Sequence, residues 1–164
     1  MKIDLKDCTL RIQDGTTVPN KITVKIGDGN VSFSEYRNRE YALDRGKLDT
    51  VRDGDQQPVE VKFEIQWEWL KADTAVAPTP RDALLKINNA STWKTSDSDA
   101  CAPYAVDIIL EHIPVCADGT KAERITFPDF RVEQIDGDPK SGQLSITGKC
   151  NVTSPIIERY AITT

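Results

Sequence analysis

Val59-Glu60-Val61-Lys62-Phe63-Glu64-Ile65-Gln66-Trp67-Glu68-Trp69 places an apolar residue at every odd position and a polar one at every even position. Side chains of a strand point alternately to opposite faces, so the run predicts one long strand with an aromatic-rich dry face and a charged wet face. Val31-Ser32-Phe33-Ser34 has the same period upstream. Between the two lies a charged stretch, Glu35 to Pro58, in which Arg37, Arg39, Arg45, Lys47 and Arg52 are interspersed with Glu40, Asp44, Asp49, Asp53 and Asp55. A connection of that length with no core of its own is usually functional, disordered or ordered by a partner.

On the N-terminal side, Leu10 and Ile12 alternate with Thr9 and Arg11, and Ile22, Val24 and Ile26 alternate with Thr23 and Lys25. Asp14-Gly15 and Pro19-Asn20 punctuate between them, which predicts a hairpin. On the C-terminal side a short helix is expected over about residues 80–89, with Thr79 as N-cap, Pro80 at the first position and Asp82 in the first turn. Alternation predicts further strands over 104–113, 125–134 and 144–152, with Pro128 marking an edge or a bulge, and a short extended tail from Ile156. The sum is a single mainly-β domain over 1–164: a two-sheet β-sandwich or opened barrel with one flanking helix and a long inter-strand loop over about 37–58.

The chain has 164 residues, a size that suits one domain with its own core. No apolar run approaches bilayer length and Met1-Lys2-Ile3-Asp4 opens no signal peptide, so synthesis in a cytosol without membrane insertion is expected. The net charge of -5 argues against gripping a phosphate backbone. Cys8, Cys101, Cys116 and Cys150 are scattered without paired spacing and His112 is the lone histidine, so neither a metal nor a cofactor is expected, and the cysteines read as reduced thiols. Asp53/Asp55, Asp97/Asp99 and Asp136/Asp138 lie beside Gly or Pro or in polar loops, where Asp forms turns. No nucleophile elbow or phosphate-cradling glycine loop is present, and an enzyme is not expected. Trp67 and Trp69 share the dry face of the long strand, which leaves Tyr36 and Tyr41 as the exposed aromatics a sugar would stack on.

The run from Tyr36 through Leu43-Asp44-Arg45-Gly46-Lys47-Leu48 to Gln66-Trp67 resembles the major tail tube proteins of long, non-contractile-tailed bacteriophages. Cys101-Ala102-Pro103-Tyr104-Ala105-Val106-Asp107-Ile108-Ile109 agrees with that likeness, as does the stretch from Ile125-Thr126-Phe127-Pro128-Asp129-Phe130-Arg131 through Gly148-Lys149-Cys150-Asn151-Val152. The resemblance spans nearly the whole chain. It implies a structural virion subunit, assembled in the host cytoplasm, that forms hexameric rings stacked into a hollow tube around a tape-measure protein. Tail-tip and tail-terminator proteins would bound the tube, and genome DNA would pass through it without specific binding. On that analogy Tyr36, Arg37, Arg39, Tyr41, Asp44, Arg45, Lys47, Asp49, Arg52 and Asp53 belong to a self-assembly arm reaching the adjacent ring. Glu60, Lys62, Glu64 and Glu68 would face the lumen. The alternative reading is a carbohydrate- or cell-surface-binding β-sandwich module of a phage tail, which exposed aromatics would serve.

Overall fold

Residues 5–26, 29–66, 78–114 and 121–161 are described in the computed structural model of the chain. Their strands are β1 (Cys8–Gln13), β2 (Lys21–Val24), β3 (Val31–Ser34), β4 (Arg37–Asp44), β5 (Lys47–Gln56), β6 (Val59–Gln66), β7 (Val106–His112), β8 (Lys121–Asp138), β9 (Gln143–Cys150) and β10 (Ile156–Ala161). The fold is mainly β. Among the described residues two antiparallel sheets and one short helix build it, as the sequence patterns lead one to expect.

The large sheet runs β2-β1-β7-β8-β9-β6-β3, with β10 also paired to β8. Its two layers are one continuous hydrogen-bonded surface, because β8 serves both. The first part of β8 pairs with β7 and β10, and the second part with β9. Two bulges bend this long strand: one extra residue at Pro128-Asp129 opposite β7, and another at Glu133 opposite β9. Pro128 has no amide to donate, Asp129 sits at φ 53°, and the Asp129 amide donates instead to Asp107 Oδ1 at 3.1 Å. The turn in the sheet thus rests on a sequence-encoded break in the ladder.

Folding the sheet over brings the dry faces together. Val59, Val61, Phe63 and Ile65 of β6 are 1% exposed or less and pack with Leu10, Ile12, Ile108, Phe127, Phe130, Leu144 and Ile146. Phe33 of β3 lies 5.5 Å from Phe127 of β8, a contact from one layer to the other. Beyond β2 the chain closes against β6, with Gln66 N donating to Lys25 O at 2.8 Å and Glu64 N to Asn30 O at 2.9 Å. Gly29 is required there, since a Cβ would stand 2.4 Å from Glu64 O. Buried Asp14 ties the β1–β2 loop to the next segment by accepting from Thr16, Asn20 and the Lys94 amide.

The helix α1 spans Pro80–Leu85, shorter than the expected 80–89. Its start is as expected, with Thr79 and Asp82 forming a reciprocal capping box. Its end differs because Lys86 turns left-handed (φ 55°) and sends its amide back to Asp82 O, after which Asn88–Ala90 forms a single 3-10 turn. The strand expected from Val59 to Trp69 is described as far as Gln66; Trp67, Glu68 and Trp69 lie outside the described residues.

Candidate functional site

The charged connection between β3 and β6 is itself folded, as the β4–β5 hairpin that forms the second sheet. A long charged loop was the expectation; backbone pairing along both strands replaces it. Arg45 and Gly46 make the turn with φ 52° and 80°, the pair of left-handed residues that matches the twist of a two-residue hairpin. Gly46 supplies the bend. Gly54 instead lies within β5 against Asn38, where its absent side chain lets the strands stay close.

β5 is longer than β4 because two bulges lie in it, at Gly54-Asp55 and at Asp49. The second decides the chemistry of the hairpin. Without it, Leu48 and Val51 would point to opposite faces; with one residue absorbed, Leu48 pairs with Leu43 beside the Tyr41–Val51 pair. Tyr41, Leu43, Leu48 and Val51 form one apolar face and are 65%, 63%, 76% and 56% exposed. The opposite face carries Glu40 across from Arg52 and Ala42 across from Thr50. The arm is therefore amphipathic, whereas its sequence reads first as charged. Tyr41 and Leu43 alternating with Glu40 and Asp44 carried that signal; Leu48 was out of phase and needed the bulge.

Of the expected arm residues, Tyr41 lies on the apolar face and Arg52 on the opposite one, and the other eight fall into three groups. Arg39 and Asp53 pair at 2.8 Å within the hairpin, a surface ion pair of small energetic weight. Asp44, Arg45, Lys47 and Asp49 cluster at the tip, with Asp44 opposite Lys47. Tyr36 and Arg37 sit at the root: the Tyr36 hydroxyl donates to Glu60 at 3.5 Å, and the Arg37 guanidinium reaches the loop after β9.

Glu60, Lys62 and Glu64 occupy the polar face of β6, with Glu68 outside the described residues. This face is broader than one strand. Ser34, Glu60, Lys149 and Arg131 lie in register across β3, β6, β9 and β8; Glu64, Ser145 and Asp136 form a row further along, and Gln66, Gln143 and Asp138 another. Taken alone, β6 offers Glu60 and Glu64 against Lys62, an acidic balance. The neighbouring strands instead make it graded, with Lys62, Lys149 and Arg131 toward the hairpin root and Glu64, Asp136 and Asp138 toward the other end. Lys62 holds Glu60 at 3.2 Å and Arg131 holds Asp97 at 2.6 Å, so much of the basic end is locally neutralised.

Of the paired carboxylates, Asp53 and Asp55 line one hollow at the hairpin root together with Arg37 and Arg39, while the other two pairs are taken up by local hydrogen bonds. Asp97 accepts from the Asp99 amide and from Arg131, which hold its carboxyl below the usual range, and Asp99 accepts from the Cys101 amide. Asp138, lowered by Ser141 and the Lys140 amide, caps the β8–β9 turn. His112 is buried in β7. Burial pushes the Cys150 thiol up to about 12, while Cys101 is exposed. Among the described residues no three His, Cys, Asp or Glu side chains gather as a metal site, and no helix is long and apolar enough to cross a membrane. No protein-family model matches the chain, and no curated protein matches it in sequence.

Proposed function

We propose that this chain is a structural, non-enzymatic subunit that assembles with copies of itself into stacked hexameric rings, the tail tube through which a bacteriophage delivers DNA. The observation that carries the reading is the hairpin: a folded arm whose apolar face of Tyr41, Leu43, Leu48 and Val51 is exposed in the single chain. Exposed apolar faces on ordered elements are sites of association. The strand edges at β2, β3 and β10 support it too, because ring closure pairs backbone groups that an open sheet leaves to solvent. The block resemblance supplies the tube, the tape-measure protein inside it, and the tail-tip and terminator proteins at its ends. The graded polar face of β3, β6, β9 and β8 suits a lumen past which DNA slides, since its basic side chains are held by carboxylates.

Negative-stain electron microscopy of the purified protein across concentration, with size-exclusion chromatography, tests this. Hollow tubes or six-fold rings are expected, and Leu43→Ser with Leu48→Ser removes them while the subunit stays folded. A species that stays small after tail-tip components are added, and that binds glycans through Tyr36 or Tyr41, overturns the proposal in favour of a binding module.

A further inference from the structure

Arg37 belongs to two parts of the molecule at once. Its backbone is the first rung of the hairpin, opposite Gln56. Its guanidinium lies on the loop between β9 and β10, with Nη1 donating to the Thr153 carbonyl at 2.9 Å and Nη2 to Ser154 Oγ at 2.6 Å. Nη1 also donates to the Tyr36 carbonyl at 3.1 Å, and a Glu35 carboxylate oxygen stands 4.0 Å from Nη2. The same loop is tied to the start of β6 by Val59 N donating to Val152 O at 3.0 Å.

The strand that leaves this loop is unusually anchored. β10 begins directly after buried Pro155, and none of its side chains belongs to the buried apolar cluster. Ile156 and Ile157 are 49% and 64% exposed. The strand is held by its backbone ladder to Lys121–Thr126 and by polar contacts: Arg159 with Glu123, Tyr160 with Glu111, and Arg124 with Glu158 at 3.7 Å and over the Tyr160 ring at 4.9 Å. A strand without core side chains sits at the low end of local stability, so contacts at its root weigh heavily. Charge-assisted hydrogen bonds are the strong ones available there.

We infer that Arg37 is a latch that couples the orientation of the β4–β5 hairpin to the seating of β10. With the guanidinium on Thr153 and Ser154, the loop is pinned and β10 stays on β8. When the hairpin swings away, the loop is released and β10 opens, uncovering the backbone edge of Lys121–Thr126. Linkage makes this reciprocal: whatever fixes the hairpin against the loop protects β10. The coupling goes beyond the tube reading and stands on the single chain, whatever the hairpin docks on.

Hydrogen–deuterium exchange on the isolated 164-residue chain tests it without any assembly. Arg37→Ala is expected to speed exchange of the Ile156–Ala161 amides about tenfold or more, the effect of losing a hydrogen-bonded charged donor, while β6 and β9 keep their protection. Ser154→Ala, which removes one acceptor alone, gives a smaller rise at the same amides. Arg39→Ala, whose partner Asp53 lies inside the hairpin, leaves β10 unchanged. The latch is overturned if β10 exchange is unmoved in Arg37→Ala and Ser154→Ala, or if β6 and β9 rise with it in both. Should Arg37→Ala fail to fold, Ser154→Ala decides by the same reading.

Discussion

β6 and the β4–β5 hairpin are written in the same alternating code and meet opposite fates. In β6 the apolar set lies between β3 and β9 under a second layer and is removed from water. In the hairpin an apolar set of comparable size, Tyr41, Leu43, Leu48 and Val51, has no layer above it among the described residues and stays exposed. An isolated two-stranded hairpin is marginal in water, so this one gains its order from a favourable turn, its bulge-sharpened twist and its root on the body. Amphipathic alternation specifies a face to be covered; it does not say whether the cover comes from the same chain.

The widest gap between the two regions is in what truncation does. Phe63→Ala in β6 is expected to cost about 3–5 kcal/mol in urea unfolding, the transfer and cavity terms of a fully buried ring. Leu48→Ala in the hairpin should change subunit stability by no more than about 0.5 kcal/mol, yet weaken self-association measured by sedimentation. Equal destabilisation by the two would show that the hairpin face is covered within the chain.

Glycines separate the regions next. Gly148→Ala places a Cβ 2.3 Å from Arg131 O and 2.5 Å from the Phe130 ring, where backbone and a packed aromatic must both shift. Overpacking of that kind costs about 1–3 kcal/mol in thermal or urea denaturation. Gly46→Ala meets open space and only the strain of its positive φ, about 1 kcal/mol, confined to the hairpin.

A pH titration then sharpens the contrast between core and arm. Burial raises the Asp107 carboxyl above its ordinary value of 3.8, with the nearby Asp129 charge adding to the rise against hydrogen bonds that oppose it. Between its unfolded and folded values the folded state therefore holds a proton that the unfolded chain has released. This stabilisation is full below the unfolded value and is lost as pH rises through the folded one. Asp107→Asn should remove that part of the pH dependence and raise the melting temperature at neutral pH modestly, since the amide oxygen still accepts from the Asp129 amide.

The smallest effect on the subunit is expected from Arg45→Glu with Lys47→Glu at the hairpin tip, within about 0.5 kcal/mol because both side chains are solvated. Its effect on assembly is the informative part: shorter tubes with altered salt sensitivity would make the tip an electrostatic contact added to the apolar face. Unchanged tubes would leave the apolar face as the contact.

Several features were legible because the signal is local. The β6 alternation, the Thr79-Pro80-Arg81-Asp82 helix start and the Pro128 break each depend on backbone geometry within a few residues, and sequence determines such geometry directly. The mainly-β character came from them. What only the tertiary structure decided depends on partners far along the chain. A single bulge at Asp49 moved Leu48 onto the Tyr41 face; β8 and β9 turned the acidic wet face of β6 into a graded one; Lys86 ended the helix early by folding back on Asp82. Arg37, which reads as one more solvated charge, found its partners 116 and 117 residues away. Register, bulge placement and long-range polar pairing are set by competition among whole strands for the same hydrogen bonds, and that competition has no local signature.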